Sequence, residues 1–144
     1  MTSPSTYKYK SASVSCGPLN RHGVMTISYS GPMNEEVFCT LRKQVLAVSH
    51  EAKALVIHMQ GALLLMADAP EIKAGVYLGK CPDAAIIVSP VQVELLAKYG
   101  NVLAAQGVMR VVFLHSQLDL AQRWANRRAQ LAASKSQSLP HFAQ

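Results

Sequence analysis

Apolar residues along this chain fall into two alternating periods, and the switch between them marks out the expected elements. From Lys8 to Cys16 apolar and polar positions alternate unevenly, with Tyr9, Ala12 and Val14 on one face, which predicts an edge strand. Gly17 to Gly23 has the composition of a turn, and the β-branched and aromatic run Val24 to Tyr29 predicts a second strand antiparallel to the first. Gly31-Pro32 is expected to end it. Asn34 followed by Glu35 and Glu36 then signals a helix start, with a capping side chain and negative charge at the positive end of the dipole. Phe38, Leu41, Val45 and Val48 recur at helical spacing behind that cap, so one stripe should lie on the sheet.

The middle of the chain organises the rest. Ala54 to Met59 is an apolar run of strand length, and Gln60-Gly61 offers a way out of it. Ala62 to Met66 is an apolar crossing without helical period. Asp68-Ala69-Pro70-Glu71 then supplies an acidic cap, a first-turn proline and a reciprocal carboxylate for a second helix over 69–78. Pro82-Asp83 reads as a turn and Ala84 to Val88 as a strand covered on both faces. Ser89-Pro90-Val91-Gln92 is a capping box for a third helix with Leu95, Leu96, Tyr99, Val102 and Leu103 inward, closed by Gly107. Val108 to Leu114 predicts a fifth strand. A fourth helix begins near Ser116 and Asp119, burying Leu120, Trp124 and Leu131 and leaving its arginines in water.

The expected architecture is a single α/β domain in the order β-β-α-β-α-β-α-β-α: a mainly parallel five-stranded sheet with an antiparallel N-terminal strand and about four helices. Residues 13–133 would form it, flanked by a flexible N-terminus over 1–12 and a flexible tail over 134–144.

Composition narrows the function classes more than it selects one. Hydrophobic residues make up 50% of the 144 and charged residues 15%, which suits a folded core and argues against disorder. The longest apolar run, Ala62 to Ala67, is far short of the roughly 18–20 residues a bilayer demands, and Met1 to Ser13 lacks the apolar stretch of a secretory leader. A cytoplasmic address of bacterial type is therefore expected. Cys16, Cys39 and Cys81 are widely spaced and odd in number, so neither a disulfide scaffold nor a zinc or redox motif is indicated. The net charge of +6 comes mostly from scattered lysines and arginines. Only Arg123, Arg127 and Arg128, with Lys135, cluster, which makes a candidate anion patch. With 6% aromatics and no groove-entering motif, no specific nucleic acid is expected as a partner. Phosphate-loop and dinucleotide fingerprints are absent, and no cofactor is expected.

Two matches give the chain a family likeness. Ile57-His58-Met59-Gln60-Gly61, then Ala62 to Leu65, then Met66-Ala67-Asp68-Ala69 stand where one family has apolar-Asp-apolar-Ser-Gly, an apolar spacer and Asp-Ser-Ser-Gly. Val88-Ser89-Pro90, Gly107, Phe113 and an alanine-rich last helix follow in the same order. Over about Val24 to Ala129 the chain thus resembles a STAS domain, the fold of sulphate transporters and anti-sigma-factor antagonists, including its stand-alone bacterial proteins. The resemblance implies a non-enzymatic regulatory or scaffolding role. It also implies a phospho-acceptor serine at the second helix, and there this chain departs: Ala67, Asp68 and Ala69 carry no hydroxyl. Asp68 is either a fixed negative charge in that place or simply the helix cap.

Two recognition surfaces follow. A protein partner, or a second copy of the chain, would dock on Gln60, Gly61, Leu64, Asp68, Glu71 and Lys73. Alternatively, His58, Ser89 and His115, all at C-terminal ends of expected parallel strands, would border a pocket for a small molecule or lipid, or serve a weak enzyme. Ser89 is more simply explained as a helix cap, and the histidines as strand-end residues reaching water or a backbone carbonyl. No nucleophile turn accompanies them, and their spacing is not that of a metal site.

Overall fold

A computed structural model describes residues 5–64, 82–90 and 110–142. Six strands form one sheet in sequence order: β1 (Ser5–Tyr9), β2 (Ala12–Leu19), β3 (Val24–Met33), β4 (Ala54–Leu64), β5 (Asp83–Val88) and β6 (Arg110–Leu114). The β1–β2 and β2–β3 pairings are antiparallel, whereas β3–β4, β4–β5 and β5–β6 are parallel. Helix α1 (Glu35–Val48) links β3 to β4, and after β6 a single 3-10 turn (His115–Gln117) leads into α2 (Leu118–Phe142).

Strand periodicity sends alternate residues to two separate cores. The row Cys16, Ile27, Ile57, Ile86 and Val112 runs across five strands in register. It lies in the larger core, where α1 contributes Val37, Leu41 and Val45. Asn34 caps α1 by accepting a bond from the Val37 amide at 2.9 Å, as its position before Glu35-Glu36 foretold. Phe38 packs its ring on Tyr29, centroids 5.4 Å apart. On the opposite face, Val24, Ala54, Val56, Ala85 and Ile87 meet Ala121, Ala125 and Ala129 of α2.

That alanine stripe corrects the expected packing of the last helix. Leu120 and Leu131 are 49% and 43% exposed, while the three alanines are fully buried. Small residues on both surfaces let the helix backbone sit close to the sheet, so spacing at i, i+4 and i+8 outranked side-chain size. Helix α2 also runs to Phe142 instead of fraying at Ser134. Alanine, glutamine and lysine are good helix formers, and no breaker intervenes before Pro140.

Further differences sit in the antiparallel half. The single edge strand expected over 8–16 is a hairpin: Tyr9 and Ala12 are register partners across Lys10-Ser11, with Lys10 at φ +55°. The uneven alternation was the trace of that two-residue turn. Residues 5–7, expected to precede that strand, therefore join the sheet, and the strand count is six, not five. Gly31-Pro32 does not end β3, which continues to Met33 against β4, with Gly31 at φ +93°. Gln60-Gly61 is not an exit either. Ser28 pairs with His58 but Ser30 pairs with Gly61, so β4 carries one extra residue here. This bulge turns Ala62, an even-numbered residue, to the α1 face. Asp83 opens β5 and is not in a turn. The helices expected over 69–78 and after Ser89-Pro90, and Val108 and Met109 of the fifth predicted strand, lie outside the described residues.

Candidate functional site

Because β3 to β6 are parallel, their C-terminal ends share one rim with the start of α1 and the β1–β2 turn. Tyr9 donates its hydroxyl proton to Glu36 Oε1, and Lys10 Nζ lies 3.2 Å from the same oxygen. The hydrogen bond from Tyr9 holds the Glu36 carboxyl below its ordinary range and pushes the Tyr9 phenol up. Hairpin turn and helix start are thus joined at one end of this rim.

The row that matters chemically lies on the α2 side. Thr6, Ser15, Ser28, His58, Ile87 and Phe113 are register neighbours in succession across all six strands. Its β1–β3 part is hydroxyl-bearing and exposed, and its β5–β6 part is apolar under α2, where Phe113 and Trp124 have centroids 6.4 Å apart. His58, inside β4 and not at the strand end expected of it, is the boundary residue, half-buried between the two. Its proton affinity is pushed below that of an ordinary imidazole, first by burial and then by positive charge on His115. His115 is exposed at the first residue of the 3-10 turn, two positions beyond Phe113. Ser89 is half-buried just past β5, the strand between them. His115 thus acts on His58 electrostatically, and Ser89 follows the strand between theirs.

The expected docking residues are only partly in view. Gln60 and Gly61 are exposed on the β4 bulge, and Leu64 is the last residue of β4; Asp68, Glu71 and Lys73 lie outside the described residues. Leu63, which the sequence reading passed over, is 61% exposed and is the most exposed large apolar side chain among the described residues. Its signal was the strand alternation Ala62-in, Leu63-out, hidden inside a run that read as uniformly apolar.

The arginines do not act as one patch. Arg128 donates from Nε to Asp83 Oδ2 at 2.9 Å and lies over the Trp124 ring. Arg123 and Arg127 point outward. Asn126 accepts from Asn20 at 3.0 Å and from Gln122 at 3.1 Å, and Gln130 meets His22 at 3.2 Å. This polar seam ties α2 to the β2–β3 turn, at the end of the sheet opposite the histidines.

Among the described residues no three His, Cys, Asp or Glu side chains gather as a metal cluster, and no helix is long and apolar enough to cross a membrane. Burial raises the Cys16 thiol, which suits an inert core position. No family model and no curated protein matches the chain.

Proposed function

We propose that the chain is a non-enzymatic binding module of STAS-like form, regulatory or scaffolding in role and cytoplasmic, that docks a protein partner on the rim where β4 ends. The observation that carries this reading is Leu63. β4 runs past its last β5 partner, His58, and presents exposed Gln60 and Gly61 and, one buried residue further on, a 61% exposed leucine. An isolated exposed leucine needs no explanation, but one beside an exposed bulge at a rim is suited to recognition. The missing hydroxyl at 67–69 makes serine phosphorylation at the family's usual place unavailable, so docking would be constitutive or controlled on the partner's side.

A benzophenone side chain at position 63, with a second at Ser15 as control, tests this. The expected result is one dominant protein adduct in cells from position 63, lost when Gln60 is also changed to Glu, and none from position 15. Equal labelling from both positions, or none from either, would end the proposal.

A second reading rests on the electrostatic influence of His115 on half-buried His58: a ligand-binding rim on the α2 side.

A further inference from the structure

We propose that β6 is the interface through which two copies of this chain pair, edge to edge and antiparallel about a twofold axis at Val112, so that their sheets become continuous. β6 ends the strand order, and among the described residues no strand lies beyond it. Its outward N–H and C=O groups are thus a template for another strand. The two edges of the sheet meet that hazard differently. β1 carries an exposed Lys8 within the strand and Lys10 at its turn. β6 pairs with β5 residue for residue, without a bulge. Val111, Val112, Phe113 and Leu114 follow one another there with no proline or lysine, and all four are only half-buried.

The occupant is a second copy because the strand complements itself. Val112 and Leu114 pack with the α1-side core and Phe113 with the α2-side core. A twofold at Val112 keeps each face on its own side. Val112 meets the partner's Val112, and Phe113 meets the partner's Val111, a stabilising aromatic and β-branched cross-strand pair. Arg110, the single charged residue of the strand, falls opposite the partner's Leu114, so no like charges oppose each other. Helix α2 extends the apolar surface. Trp124 lies on Phe113, centroids 6.4 Å apart, which marks the flank of α2 that faces β6. At 3.6 residues per turn, Leu120 and Leu131 fall within about 40° of Trp124 on that flank, and both are exposed. The opposite flank is polar, with Asn126 bonded to Asn20. Joining β6 to β1 of the next copy would instead leave a free edge at each end and add copies without limit, whereas the twofold closes at two.

Sedimentation velocity of the untagged full chain tests this. One short ladder is a small interface, so a monomer–dimer equilibrium with a dissociation constant of roughly 10–100 µM is expected. Val111→Lys, with its circular dichroism unchanged, should weaken it roughly tenfold or more. Val112→Cys, in a chain with Cys39 and Cys81 changed to serine, should form an intermolecular disulfide on mild oxidation. Residues directly opposite in an antiparallel pair lie about 4.5–5.5 Å apart, within the roughly 4.4–6.8 Å that a disulfide spans. Ser15→Cys in the same chain should not crosslink. Emission from Trp124, the single tryptophan, should change over the same concentrations in the wild type, a readout that needs no variant to fold. A wild type still monomeric at about 500 µM, growth past the dimer, undiminished pairing in folded Val111→Lys, or equal crosslinking at 15 and 112 overturns the twofold. A monomeric chain leaves the Leu63 docking reading standing, and a failed crosslink at Leu63 leaves this dimer standing.

Discussion

Replacing Gly31 with alanine asks whether β3 truly continues past Gly31-Pro32 into the rim. Gly31 has φ +93°, and a Cβ there would lie 2.5 Å from the Ser11 carbonyl oxygen and 2.9 Å from Ala12 Cα. Two separate costs follow. An L side chain at positive φ costs about 1–2 kcal/mol. Carbon needs roughly 3.5 Å, so the backbone of the β1–β2 turn would have to retreat by about 1 Å, and overpacking of that kind costs about 1–3 kcal/mol. Alanine returns about 0.4–1 kcal/mol by restricting the unfolded chain. The net loss is about 2–4 kcal/mol, a large part of the stability of a domain this size. With a urea slope of about 2 kcal/mol/M, the unfolding midpoint should fall by about 1–2 M. Gly23→Ala is the control. Its φ is +89°, but its Cβ would meet only the Lys53 side chain, at 3.3 Å, which can move. It should cost about 1 kcal/mol. Equal midpoints for the two variants would refute the close approach of Gly31 to the hairpin and, with it, the continuation of β3.

Three other outcomes are expected. Asp83→Asn should cost about 1–2 kcal/mol, because the ion pair with Arg128 at 2.9 Å is only partly exposed, and a double-mutant cycle with Arg128→Gln should return most of that as coupling. Ala125→Leu should destabilise by about 1–3 kcal/mol by lifting α2 off the sheet, whereas Leu120→Ala should stay within about 0.5 kcal/mol; chemical denaturation showing the opposite order would restore the leucine stripe. His58 has a folded-state proton affinity below the ordinary imidazole value of 6.5, so the unfolded chain protonates first on acidification. Its contribution to stability is complete above pH 6.5 and is lost as pH falls through the folded value. His58→Gln should flatten that part of the stability profile measured between pH 7.5 and 5.5.

The parallel half of the fold was legible because its signals are local and redundant. Asn34 before Glu35-Glu36 caps α1 as expected, and Ala54 to Met59 and Ala84 to Val88 lie in the sheet where their apolar runs put them. What misled was chemistry that two structures share. Lys10-Ser11 contains no glycine, asparagine or proline, so a hairpin turn at positive φ passed as strand. Gly31-Pro32 and Gln60-Gly61 carry the residues of turns, yet serve as a left-handed step and a bulge within strands. On α2, leucines outweigh alanines in any hydrophobic count, but the narrow gap above Ala54 and Ala85 admits only a methyl. Of the candidate site, His115 follows the end of β6 as expected, but His58 is the fifth residue of an eleven-residue β4 and not a strand end, because the bulge at Gln60-Gly61 continues the strand to Leu64. The influence of His115 on His58 depends on the register of three strands and could not be read before those strands were paired.

His115 acts on His58 from across the intervening strand β5. In open parallel sheets a crevice forms where strand order reverses, because helices depart to opposite faces at that point. Strands β3 to β6 advance one place at a time in one direction, so no reversal occurs among them and strand order opens no crevice. The site is built instead at the edge of the area that α2 covers, where the row passes from Ser28 through His58 to Ile87. If that boundary is what perturbs His58, burial must outweigh the charge of its neighbour. His115→Gln should then raise the His58 proton affinity only part of the way toward its ordinary value, whereas Ile87→Ala, which admits water from the covered side, should raise it further. A nitrogen-detected titration of the His58 ring separates the two. Full recovery in His115→Gln would make the neighbouring charge the sole cause, and the edge of α2 would then have no part in shaping the site.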